Sequence, residues 1–120
     1  MLRTVELEDV LAISEQKPVL VAFIRRGRSA SGQIETMEMI SRRHGPELYC
    51  CLYSFKNIEL GMRHFGVRGI PSFLVVLNGR EVDRFIGLAE PQDMERLARN
   101  GMQASYHASF HGGEELFDFD

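Results

Sequence analysis

The stretch that decides the fold lies at residues 65–79 and reads Phe65-Gly66-Val67-Arg68-Gly69-Ile70-Pro71-Ser72-Phe73-Leu74-Val75-Val76-Leu77-Asn78-Gly79. Gly66 is suited to end a helix, and a short turn then leads through Pro71 into an apolar run. Because proline has no N–H to donate to a sheet ladder, Pro71 is expected at the start of a strand rather than inside it. Asn78-Gly79 between apolar runs predicts a tight hairpin turn. We therefore expect a helix, a turn at Pro71 and two antiparallel strands.

Outside this stretch, segments with strand and helix patterns alternate along the chain. The predicted strands are residues 2–7, 19–24, 48–53, 72–77 and 80–87. The predicted helices are residues 8–16, 33–44, 58–65 and 90–100, and Asn100-Gly101 is expected to stop the last one. This order, βαβαβαββα, predicts an α/β domain with a central mixed sheet and helices on both faces.

The composition indicates one globular domain of an ordinary kind. The chain has 120 residues and a net charge of −3, with no excess of basic residues that would predict a nucleic-acid surface. No apolar run reaches the ~18 residues that a membrane-spanning helix needs. The first residues carry acids where a secretory signal would carry an apolar core. We therefore expect a cytoplasmic protein without a membrane or nucleic-acid partner.

The last 18 residues differ from the rest. Residues 103–120 contain no Lys or Arg and four acids, Glu114, Glu115, Asp118 and Asp120. They contribute −4 to the net charge of −3, which leaves about +1 for residues 1–102. The acids alternate with Leu116, Phe117 and Phe119. We expect a domain at residues 1–102 and a flexible acidic-aromatic tail at residues 103–120, of a kind that also serves as a docking segment.

Two adjacent cysteines, Cys50 and Cys51, lie inside a predicted buried strand. A disulfide between sequence neighbours would close a strained ring, so we interpret both as small core residues. The four histidines show no metal-ligand spacing. Neither a metal nor a cofactor is expected.

The residues around Ile70-Pro71 resemble the signature of the thioredoxin family, and the resemblance extends over residues 5–102. It implies the thioredoxin fold. It also implies that the Ile70-Pro71 bond is cis and that Pro71 faces the site where the family carries its Cys-x-x-Cys motif.

The same resemblance shows that the redox residues are absent. Aligned without a gap, Gly27 falls at the family's tryptophan, and Arg28-Ser29-Ala30-Ser31 falls at its Cys-Gly-Pro-Cys. The first cysteine of that motif is a nucleophile activated at a helix N-terminus, a task that arginine cannot perform. Ala22 and Leu52 replace the buried aspartate and lysine, and the helix proline aligns near Thr36. We therefore expect a redox-inactive protein that is not an enzyme.

The family's other property is the binding of an extended peptide beside the cis-proline. The candidate groove residues are Gly27, Arg28, Ser29, Ser31, Gly69, Ile70 and Pro71. We expect a protein or peptide partner and a role as chaperone, adaptor or assembly factor. The chain itself is expected to be a monomer or a weak homodimer.

Two alternatives remain at this point. In the first, the chain is a thioredoxin-like oxidoreductase that uses Cys50 or Cys51 against a partner's thiol, which an accessible sulfur beside Pro71 would favour. In the other alternative, an anion or small molecule binds to Arg25, Arg26 and Arg28 at a helix N-terminus, since guanidinium groups match carboxylates and phosphates. Ser29 or Ser31 is expected to cap that helix.

Overall fold

The computed structural model describes the backbone of residues 1–118 and the side chains of residues 1–27 and 30–108. Its strands are β1 Arg3–Val5, β2 Val19–Phe23, β3 Tyr49–Tyr53, β4 Ser72–Leu77 and β5 Arg80–Ile86. Its helices are α1 Leu7–Ser14, α2 Arg28–His44, α3 Ile58–Phe65 and α4 Pro91–Asp118, with a single 3₁₀ turn at Phe55–Asn57 before α3. The predicted order of elements is confirmed.

The five strands form one mixed sheet in the order β1-β3-β2-β4-β5. β1, β3 and β2 run parallel, whereas β4 is antiparallel to β2 and β5 is antiparallel to β4. The carboxyl ends of the parallel strands therefore meet the start of β4 and the end of β5 at one edge. We call this the Pro71 edge; its loops are residues 24–27, 54–57, 66–71 and 87–90.

Two apolar layers cover the sheet. The layer under α2 and α4 includes Leu20, Met37, Phe73 and Leu97. The layer under α1 and α3 includes Val10, Val21, Phe23, Tyr53 and Leu74. Because side chains alternate along a strand, the neighbours Cys50 and Cys51 enter opposite layers, and both are buried free thiols. Their interpretation as core residues agrees with this burial.

Backbone geometry confirms the two turns expected around β4. Gly66 ends α3 in the left-handed region with φ 65°, and the hairpin residues Asn78 and Gly79 have φ 52° and 75°. Ser14, fully buried at the end of α1, fixes this hairpin. Its carbonyl accepts a hydrogen bond from the N–H of Asn78 at 2.7 Å, and its hydroxyl accepts one from Gly79 at 3.0 Å.

The prediction that the last helix stops at residues 100–101 is wrong. Gly101 is buried, and a Cβ there would lie 2.7 Å from Cγ2 of Val75 and 3.1 Å from Cβ of Pro18. The glycine therefore allows α4 to pack closely on the sheet, and the helix continues to Asp118. The division into a domain at residues 1–102 and a tail at residues 103–120 stays a prediction. The side chains of residues 109–120 lie outside the described ones.

Among the described residues, no helix is both long enough and apolar enough to cross a membrane.

Candidate functional site

The turn before β4 is fixed from both sides. The Ile70–Pro71 bond is cis. The carbonyl of Pro71 accepts a hydrogen bond from the N–H of Gly87 at 2.8 Å, and the hydroxyl of Ser72 donates to the carbonyl of Gly69 at 2.6 Å. Within the described part of the chain, no hydrogen bond reaches the main-chain N–H or C=O of Ile70. The main chain of Ile70 can therefore pair with an incoming strand.

A pocket of about 190 Å³ lies beside Pro71. We call it the Pro71 pocket; its lining residues are Ile24, Arg25, Ala30, Gln33, Ile70, Pro71 and Leu88. Arg25 is the one charged residue among them, and none carries sulfur. The pocket is therefore suited to an apolar group next to an anionic one.

Gln33 forms one wall of the Pro71 pocket and was missed by the sequence analysis. It is buried, and its amide makes two hydrogen bonds with the main chain of Ala89. Nε2 donates to the Ala89 carbonyl at 2.8 Å, and Oε1 accepts from the Ala89 N–H at 2.8 Å. This pair joins α2 to the loop that carries Leu88. Gln33 lies on the same buried face of α2 as Ala30, Met37 and Ile40. A polar residue on an otherwise apolar helix face was the signal in the sequence that could have revealed it.

Arg84 holds the segment that leads from the end of α3 to the Pro71 turn. Its guanidinium donates to the carbonyl of Phe65 at 2.6 Å and to that of Gly66 at 3.2 Å, where α3 ends. The neighbouring carboxylate of Glu81 binds the same guanidinium and raises the pKa of Arg84. The segment leading to Pro71 is thus tied to β5 as well as to α3.

The two described arginines of the loop after β2 face different pockets. Arg25 lines the Pro71 pocket, and its guanidinium carbon lies 5.7 Å from the centroid of the Phe55 ring. Arg26 lines a second pocket of about 370 Å³, together with Gly27 and Ser31. The side chain of Arg28 lies outside the described residues. The structure therefore divides the expected arginine cluster between two pockets.

The prediction that Ser29 or Ser31 caps α2 is wrong. The helix begins at Arg28 with Gly27 at the N-cap position, and the N–H of Ala30 donates to the carbonyl of Gly27 at 3.1 Å. Both serines lie within the first turns of the helix. The helix starts one residue before Ser29, so neither serine precedes the first turn as a cap residue does.

The structure brings part of the predicted groove together. Ile70 and Pro71 meet Arg25 in one pocket, and Gly27 and Ser31 lie in the second. The two pockets share Ile24 and Ala30, so they adjoin. Gly69 supports the turn through its carbonyl, and the side chains of Arg28 and Ser29 lie outside the described ones.

Neither cysteine reaches the Pro71 edge in this structure. Burial raises the pKa of the Cys50 thiol to about 12. Burial also raises the pKa of Cys51, and the nearby Cys50 and Asp9 raise it further. Because only the thiolate attacks a disulfide, these thiols are poor nucleophiles at neutral pH. The oxidoreductase alternative called for an accessible cysteine sulfur beside Pro71. Among the described residues there is none.

Ala22 and Leu52 are direct partners in the pairing of β2 with β3. The resemblance implies a buried aspartate and its partner lysine at these two positions. Here Ala22 is fully buried in the layer under α2 and α4, with Leu52 packed against that layer. The apolar pair avoids the cost of burying charged groups.

Among the described residues, no group of three or more His, Cys, Asp or Glu is arranged to hold a metal ion.

No family model and no curated protein matches the chain, but solved structures do. The thioredoxin of Fasciola hepatica matches with a TM-score of 0.69 and 21% identity, over 82% of this chain and 99% of that one. Thioredoxin (Mala s 13) of Malassezia sympodialis gives 0.73 and 16%, over 85% and 91%. Mitochondrial thioredoxin 3 of Saccharomyces cerevisiae, in its oxidized form, gives 0.70 and 12%, over 82% and 94%. These likenesses and the sheet order agree: the chain has the thioredoxin fold.

Proposed function

We propose that this protein binds an extended segment of another protein at the Pro71 edge, without thiol–disulfide exchange, as a chaperone, adaptor or assembly factor. One observation carries the proposal. The Pro71 pocket is lined by apolar groups, Gln33 and one arginine, whereas both cysteine sulfurs of the chain are buried in β3.

The main chain of Ile70 supports binding by strand addition. Its N–H and C=O make no hydrogen bond within the described residues, next to a turn held by Gly87 and Ser72. An extended segment can pair with these groups and direct alternate side chains into the flanking pockets. Since the turn is fixed in advance, little ordering is needed on binding.

Exposed apolar side chains flank this turn on both sides. Leu88, 61% exposed, borders the Pro71 pocket, and Phe55 and Leu60, 47% and 53% exposed, border a pocket of about 450 Å³ on the α3 side of Ile70. Exposed apolar groups around a pocket are typical of protein-binding surfaces.

The absence of exchange chemistry rests on the residues present. The loop and first turn of α2 supply Gly27, Arg28, Ser29, Ala30 and Ser31, none of which forms a mixed disulfide. The fold itself is consistent with an oxidoreductase, so this half of the proposal depends on the sequence of the loop and on the burial of both thiols.

Selection of random peptides on the full chain tests the binding. Peptides selected on the wild type should bind Leu88→Glu at least roughly tenfold more weakly, because the charge would enter an apolar contact. The matched control is Met39→Glu, another exposed apolar residue, 49% exposed, which lies on α2 away from its first turn. Equal binding to the wild type and to Leu88→Glu would contradict the proposed site.

A further inference from the structure

We infer that the segment bound beside Pro71 carries an acidic side chain next to an apolar one, and that Arg25 pairs with its carboxylate. The inference rests on the proposed function and adds the chemical class of the partner. It also makes Arg25 the residue that determines specificity.

The Pro71 pocket offers one strong polar group. Gln33 already uses its carbonyl oxygen and one N–H on the main chain of Ala89. The other lining side chains are apolar, so the guanidinium of Arg25 is the charged group that a ligand meets. A guanidinium binds a carboxylate through two parallel hydrogen bonds, which gives orientation as well as attraction.

Arg25 has no ion-pair partner among the described residues, in contrast to the arginines that stabilise the fold. Those pairs are Arg43 and Arg99 with Glu95, Arg84 with Glu81, and Arg96 with Asp83. Instead, Arg25 lies over the ring of Phe55. This contact holds an exposed cation in place without neutralising it, so the charge is preorganised for an outside partner.

The surroundings of Arg25 favour an anion over a cation. The second pocket contains Arg26 and no acid, and the α3-side pocket contains Lys56 and one acid, Glu59. A basic segment would meet more like charge than opposite charge, which disfavours it.

The position of Arg25 also limits where the acid lies in the segment. Arg25 lines both the Pro71 pocket and the α3-side pocket, and the two meet at Ile70. A strand paired with Ile70 directs successive side chains to opposite faces, so one enters each pocket. The acid is therefore expected within one or two residues of the apolar anchor.

A charge swap on the full chain tests the inference. Affinities are measured by fluorescence polarisation for peptides selected on the wild type. Changing their acids to the corresponding amides should weaken binding roughly tenfold, and Arg25→Glu should weaken the acidic peptides by a similar factor. Changing the acid to lysine should restore binding to Arg25→Glu. Arg25→Gln should lose the preference for acid without gaining one for lysine.

Arg80→Glu is the matched control, because Arg80 is exposed at the hairpin end of β5, across the sheet from Pro71. It should leave every affinity unchanged, and unfolding curves should show all variants folded. If the selected peptides lack acids, or if acidic peptides bind Arg25→Glu as well as the wild type, the acid specificity is wrong and the proposed peptide binding stands. If no peptide is selected at all, both the proposed function and the acid specificity are wrong.

Discussion

Gly61 on α3 lies directly against the ring of Tyr53 on β3, and a Cβ at this position would overlap that ring. Tyr53 cannot move aside easily, because its ring stacks on Phe23 with the ring centroids 4.9 Å apart. The close approach of α3 to the sheet thus depends on a residue without a side chain.

Gly61→Ala is therefore expected to lower the free energy of unfolding by about 1–3 kcal/mol, since the added methyl overfills a packed layer. Urea denaturation measures this. Gly32→Ala is the matched control: Gly32 lies inside α2 with nothing within 4 Å of its Cβ position. That change should stabilise the protein by about 0.5–1 kcal/mol. Equal effects at both positions would contradict the packing described here.

Tyr53→Phe is expected to keep or raise the free energy of unfolding, by up to about 1 kcal/mol. The hydroxyl is buried, and the polar group near it is the main-chain N–H of Leu7, whose geometry falls short of a full hydrogen bond. Its removal takes away a poorly paired polar group and leaves the ring in place. Thermal unfolding of the two proteins at equal concentration checks this, and a clear loss of stability would reveal a partner for the hydroxyl.

The purified protein should not accelerate the reduction of insulin by dithiothreitol. Burial raises the pKa of Cys50 to about 12, and the pKa of Cys51 is raised as well, so little thiolate exists at neutral pH. An acceleration that disappears in the Cys50→Ala, Cys51→Ala double variant would make these thiols catalytic and refute redox inactivity.

Gln33→Leu should lower the free energy of unfolding by about 1–3 kcal/mol, because it leaves the N–H and C=O of Ala89 without partners. Amide hydrogen exchange at Ala89 should become faster at the same time. Gln103→Leu, at an exposed position of α4, is the control and should change neither quantity. Unchanged exchange at Ala89 in Gln33→Leu would show that the loop is held by other contacts.

Glu95 should make stability depend on pH below neutrality. Burial alone would raise its pKa, but hydrogen bonds from His44, Arg99 and Arg43 hold the pKa below its ordinary value of 4.5. A lowered pKa stabilises the folded state above about pH 4.5, and this contribution is lost as pH falls through the folded-state pKa. Glu95→Gln should cost roughly 1–2 kcal/mol at pH 7 and less at pH 3. A pH-independent cost, measured by urea denaturation, would exclude this origin.

Local signals explain why the order of elements was predictable. Pro71, Gly66 and Asn78-Gly79 restrict the backbone through their own chemistry, whatever lies around them. The continuous apolar run of β2 similarly indicated a central strand, and all five of its residues are buried.

Contacts between distant segments explain what was missed. Asn100-Gly101 has the local pattern of a helix stop, but Val75 and Pro18 pack against Gly101, and this packing overrides the signal. Gln33 and Ala89 are 56 residues apart, and only the folded chain brings the amide to that main chain. The wall of the candidate pocket could therefore not be predicted from the pattern around residue 33.

The side chains of Cys50 and Cys51 point to opposite faces of the sheet, so each can report the local opening of one apolar layer. Each sulfur can be alkylated only when its own apolar layer separates from β3, one under α2 and α4 and the other under α1 and α3. In single-cysteine variants, the labelling rate of each sulfur reports the opening frequency of one layer in the native protein. Two adjacent residues of the sequence thus distinguish fluctuations on the two faces of a sheet, without any introduced cysteine.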